Sequence, residues 1–86
     1  MKIVFAKRMT KQYEKLSERE REHVDEAIAL FRKNPFAAAL RNHPLKGTQK
    51  NRRALSAGFD LRIIFEEHDK YMLVIMLAVG THEEVY

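Results

Sequence analysis

Residues 53–79, RALSAGFDLRIIFEEHDKYMLVIMLAV, decide the fold. Arg53, Leu55 and Ala57 alternate with Ala54 and Ser56. Leu61, Ile63 and Phe65 alternate with Arg62, Ile64 and Glu66. A period of two is the signature of strands with one face buried. Gly58 and the run Glu67-His68-Asp69-Lys70 supply the turns between them. Tyr71 to Val79 is apolar throughout, as expected for a strand central in its sheet or covered on both faces. Three strands joined by short turns form an antiparallel meander.

Upstream the period changes to that of helices. Met9, Tyr13 and Leu16 fall on one helical face, and Val24, Ala27, Ile28 and Phe31 on another. Ser17-Glu18-Arg19-Glu20 fits a capping box that starts the second helix. Asn34-Pro35 ends it, because a residue before proline is pushed out of the α region. Lys2 to Phe5 reads as a first strand, Phe36 to Leu40 as a short helical turn, and His43-Pro44-Leu45-Lys46-Gly47 as a loop. The expected fold is α+β: two N-terminal helices packed on one face of a small, mainly antiparallel four-stranded sheet. The other face stays partly open, with Asp60, Arg62 and Glu66 on it.

Length and composition narrow the function. A chain of 86 residues is expected to form a single domain over residues 1–86. It buries only roughly 60% of its unfolded surface, so every apolar segment must serve one core. Without cysteine, a disulfide framework and a thiolate zinc site are both excluded. The longest apolar run is under half of the roughly 20 residues a membrane helix needs. No apolar leader follows Met1, and a cytoplasmic location is expected. The net charge of +4 is unevenly spread: residues 35–58 hold five basic residues and no acid. Such a block attracts phosphate backbones without regard to sequence, although it also serves as an ordinary solvated surface.

No phosphate-binding glycine loop, no His-x-x-x-His pair and no nucleophile elbow is present. The chemistry is left to four histidines among bases. His23, on the charged side of a helix, and His68, in a turn, read as ordinary surface residues. His43 heads the acid-free block, and His82 comes after the last strand beside Gly80. Histidine titrates near neutrality and can move protons there. RNA carries its own nucleophile, the 2′-hydroxyl. Cleaving it requires a proton acceptor, a proton donor for the leaving 5′-oxygen, and cations for the phosphorane charge. Histidines, with Lys46, Lys50, Arg53 and Arg62 as cations and Asp60 as a possible base, supply all three without a metal or other cofactor.

Taken in order, His43-Pro44-Leu45-Lys46-Gly47, Arg53, Asp60-Leu61-Arg62-Ile63-Ile64-Phe65 and Gly80-Thr81-His82-Glu83-Glu84-Val85-Tyr86 resemble the RelE/ParE toxin superfamily. The nearest branch is the YafQ-like toxins of type II toxin–antitoxin systems. The resemblance runs over nearly the whole chain and is sharpest over residues 43–86. It implies a RelE-like fold and a ribosome-dependent endoribonuclease that cuts mRNA and is neutralised by a cognate antitoxin. A monomeric toxin within a hetero-oligomer, partnered by antitoxin, ribosome and mRNA and by no membrane, is the corresponding assembly.

By position, His82 matches the catalytic histidine near the family's C-terminus, as general acid. His43 matches the H-x-L-x-G histidine, and Asp60 an active-site aspartate. Tyr86 matches a terminal aromatic that stacks on a base, or else packs on the sheet. Lys46, Lys50, Arg53 and Arg62 are the phosphate-binding candidates. The sequence departs from the family pattern at Ser56, where a second histidine is common, and at Arg52, Leu61 and Ala78. Two alternatives stay open: a ParE-like toxin that binds DNA gyrase without nuclease activity, and a non-catalytic basic RNA-binding module.

Overall fold

A computed structural model describes residues 1–47, 51–58 and 60–85. The chain runs β1 (Lys2–Phe5), α1 (Lys7–Glu14), α2 (Glu18–Lys33), a single 3₁₀ turn (Ala38–Leu40), β2 (His43–Pro44), β3 (Arg52–Ala57), β4 (Leu61–His68), β5 (Leu73–Thr81) and α3 (His82–Val85). One sheet has the order β1-β5-β4-β3-β2. The β5–β4, β4–β3 and β3–β2 pairings are antiparallel, and β1 lies parallel to β5. The all-apolar strand is thus flanked on both sides, as its composition requires.

The sheet has five strands, which corrects the expected four. The extra strand is β2, in the segment expected to be a loop. His43 pairs with Ala54 and Pro44 with Arg53. Proline lacks an N–H and is tolerated only where one side of the strand needs no ladder partner. β2 meets that condition because it is the sheet edge.

α1 and α2 cover one face. Ser17 and Glu20 form the capping box: the Glu20 N–H donates to Ser17 Oγ (3.1 Å) and the Ser17 N–H to Glu20 Oε1 (2.9 Å). Val24 and Phe31 are fully buried beneath α2, with Ala27 between them. The Phe31 ring meets Phe65 edge-on at 5.1 Å between centroids, a geometry that aligns ring quadrupoles favourably. Leu55, Ile63, Phe65, Val74 and Met76 complete this core. The Tyr13 hydroxyl ties α1 to α2 by donating to Asp25 Oδ1 (2.7 Å). That bond, together with burial, pushes the phenol up.

The opposite face carries a smaller cluster of Ala54, Ile64 and Ala78, joined by Leu45, Leu77 and Val85. Between β4 and β5 the register shifts at Ile64/Phe65, so that Ile64 pairs with Ala78 and Phe65 with Met76. Leu77 is the extra residue on β5. A bulge of this kind bends its strand and re-aims the chain beyond it. Beyond the end of β5 comes α3, which folds back over this face. No helix among the described residues is long and apolar enough to cross a membrane.

Candidate active site

The alternation of strands places His43, Ala54, Ile64 and Ala78 in one row across four strands of the open face. The next row holds Ser56, Arg62 and Gly80. Ala54, Ile64 and Ala78 are buried, with Leu45, Leu77 and Val85 packed against them, and the exposed side chains stand beside this cluster. His43, Pro44, Leu45, Lys46, Arg62 and His82 line a depression of about 330 Å³ there. Four of the eight residues expected at the site therefore converge: two imidazoles and two cations. No acidic side chain is among its described lining residues.

His43 is held by a specific bond. Its Nδ1 lies 2.7 Å from the Arg41 carbonyl oxygen. A carbonyl can only accept, so Nδ1 carries the proton, and in the neutral ring Nε2 is left as the acceptor. Arg41 adopts the left-handed conformation, with φ of 51°, which is uncommon for a residue with a Cβ. That posture closes the 3₁₀ turn through its own N–H, which donates to the Ala38 carbonyl (3.2 Å). Strained backbone of this sort concentrates at functional sites.

His82 is the first residue of α3. The Thr81 N–H donates to Glu84 Oε1 (2.8 Å), half of a capping box. This backbone bond holds the Glu84 carboxyl below its ordinary range. Gly80 permits the close return of α3, since a Cβ there would lie 3.1 Å from the Glu84 Cβ. Arg62 rises from β4, and its Nη1 donates to the Leu61 carbonyl (3.0 Å).

Two more of the expected site residues, Arg53 and Asp60, fall elsewhere. Arg53 shares parity with Leu55 and Ala57, so it points to the helix-bearing side. There its Nε donates to Asn42 Oδ1 (2.7 Å), and its guanidinium sits 5.7 Å from the Phe36 ring centre. Asp60 stands in the turn before β4 and lines a different hollow, with Ser17, Arg19, Glu20 and His23. Lys50 and Tyr86 lie outside the described residues. Glu66, expected on the open face, is neutralised away from the depression. Burial pushes its carboxyl up, but Arg52 at 3.1 Å and His68 at 3.3 Å outweigh this and hold it below the ordinary range.

Sequence reasoning missed two contributors. Arg41 positions His43 through its backbone, and no side-chain pattern announces that. Glu84 anchors α3, and its signal, Thr-x-x-Glu at 81–84, was present in the chain. Among the described residues, no three histidine or acidic side chains gather as a metal site would need.

The α+β scaffold itself recurs among solved structures. The model of a family described as the bacterial toxin of type II toxin–antitoxin systems, YafQ, matches residues 1–86. The chain belongs to that family. Among solved structures it is similar to YafQ from Escherichia coli strain BL21(DE3), with 21% identity, a TM-score of 0.81, and 99% of this chain and 97% of that one covered. It is also similar to a chain of the E. coli DinJ–YafQ toxin–antitoxin complex, with 22% identity, a TM-score of 0.82, and coverage of 99% and 96%. A copper-bound mutant toxin from Helicobacter pylori matches at 26% identity and a TM-score of 0.79, covering 100% of this chain and 99% of that one. No curated protein matches the chain significantly.

Proposed function

We propose that this toxin is a ribosome-dependent endoribonuclease that cleaves mRNA by attack of the 2′-hydroxyl on the adjacent phosphate. The observation that carries the reading is the meeting of His43, Lys46, Arg62 and His82 around one depression, with the His43 tautomer set by the Arg41 carbonyl. Nε2 of His43 accepts the 2′-hydroxyl proton. Lys46 and Arg62 neutralise the charge that builds on the phosphoryl oxygens, a role favoured where no carboxylate competes. His82 protonates the leaving 5′-oxygen. The products are a 2′,3′-cyclic phosphate and a 5′-hydroxyl end. Asp60 is not used as the base, because it lines the hollow by α2. Arg53 serves packing and Asn42 rather than phosphate.

The chain acts in the cytoplasm, where its ribosomal substrate is found. Its partner there is a cognate antitoxin, as the E. coli DinJ–YafQ complex suggests by its composition. The acid-free block at residues 35–58 favours an acidic antitoxin segment that reaches the depression and is steered there by charge.

Induced expression without the antitoxin tests the reading. Growth arrest with new mRNA 5′ ends is expected for the wild type, and both are lost with His82→Gln. Arrest that persists in His43→Gln and His82→Gln, with intact mRNA and a DNA-damage response, would favour gyrase binding instead.

A further inference from the structure

A second hollow adjoins the first and shares one wall with it. Ala39, Arg41, Ser56, Gly58 and Arg62 line about 280 Å³ of space, and Arg62 also lines the histidine depression. Ser56 and Arg62 are direct partners in the β3–β4 ladder and share one face of the sheet; both line this hollow. A second guanidinium comes from Arg41. Gly58 contributes no side chain and cannot: with φ of 77°, a Cβ there would lie 2.5 Å from His23 Nδ1.

Two arginines line this concavity and no carboxylate is among its described lining residues, so an anion bound there would be attracted by both. Arginine's planar fork suits phosphate oxygens, and a serine hydroxyl adds a further donor.

We propose that Arg41, Ser56 and Arg62 form a second phosphate subsite on the RNA track. It holds the phosphate on the 5′ side of the nucleotide whose 2′-hydroxyl attacks. This rests on His43 as the base: Arg41 grips His43 through its carbonyl and so lies on the side of the attacking nucleotide. Arg41 thus does two jobs from one left-handed posture. Its backbone orients the base, and its side chain fixes the register of the strand that the base serves.

The test uses the purified full chain and two uncleavable dinucleotides, each with a 2′-deoxy first residue. One carries a 5′-phosphate and the other a 5′-hydroxyl. Binding is followed by NMR titration of the labelled protein. The 5′-phosphate is expected to tighten wild-type binding by about 10-fold, consistent with a charge-assisted arginine contact, and to steepen the salt slope by about one unit. Arg41→Gln is expected to abolish the increment, so that the two ligands bind this variant equally. Arg41→Lys, which keeps the charge, restores part of it. An increment that survives in Arg41→Gln overturns the proposal, as does wild-type binding that ignores the 5′-phosphate or does not occur. An Arg41-dependent increment in a protein that cuts no mRNA leaves the phosphate subsite standing and removes the nuclease reading, together with the subsite's place beside an attacking nucleotide.

Discussion

Replacing Gly58 by alanine probes how the β3–β4 turn fits beneath α2. Two costs add. At φ of 77° a residue with a Cβ sits in left-handed backbone, a strain of about 1–2 kcal/mol. The new Cβ would also stand 2.5 Å from Nδ1, 2.8 Å from Cγ and 3.0 Å from Cβ of His23. Because the obstruction reaches down to the root of the histidine side chain, rotation alone does not clear it. Overpacking of this kind costs about 1–3 kcal/mol. Gly58→Ala is therefore expected to lose about 2–5 kcal/mol, lowering Tm on the order of 10–30 °C for a domain of this size. The two costs separate in a double-mutant cycle. In a His23→Ala background the ring is gone and mainly the backbone strain remains, so the coupling between the sites should be about 1–2 kcal/mol. Urea unfolding of the four proteins measures it. Equal losses from Gly58→Ala in both backgrounds would refute the idea that His23 fills this space.

Phe31 is fully buried and in edge contact with Phe65; Phe31→Ala should cost about 3–5 kcal/mol in urea unfolding, and a loss below about 1 kcal/mol would contradict the core described. The Glu66 carboxyl is held below its unfolded value by Arg52 and His68, which outweigh its burial. A lowered pKa gives stability that is present above the unfolded value, near 4.5, and is lost as pH falls through the folded one. Relative to Glu66→Gln, the wild type should gain about 0.2–1 kcal/mol at neutral pH, with the difference closing below pH 4.5 in pH-dependent melts. Glu84→Ala removes the acceptor for the Thr81 N–H and should slow cleavage about 10–100-fold through misplacement of His82. Glu84→Gln keeps an acceptor and should retain most of the rate, and equal rates for the two variants would show that the cap does not position His82.

Much of the fold was legible because it obeys simple periods. The alternation in β3 and β4, the Ser17–Glu20 capping box and the Asn34-Pro35 stop appear where the pattern places them, whereas the apolar strand expected over Tyr71 to Val79 is displaced by two residues to Leu73–Thr81, because β4 continues through His68 and the turn follows it. β2 and α3 were not legible for a common reason. Two and four residues are too short to show any period, and both are held by partners distant in sequence or by a single cap. Arg53 is more instructive. Its parity with Leu55 and Ala57 already assigned it to the helix side, where its guanidinium lies against the Phe36 ring. His43 and Arg62 obey the same rule in the other direction. Both carry the parity of the open face, as Ala54 and Ile64 do.

The most direct test is the single-turnover cleavage of ribosome-bound mRNA by the wild type, His43→Gln, His82→Gln and the double variant, with the RNA ends identified. Paired acid–base catalysis by the two imidazoles predicts a loss of about 10²–10⁴-fold for each single variant, a double loss well short of the product, and 5′-hydroxyl ends from the wild type. Cleavage by either single variant within a few-fold of the wild-type rate, or 5′-phosphate ends, would contradict it.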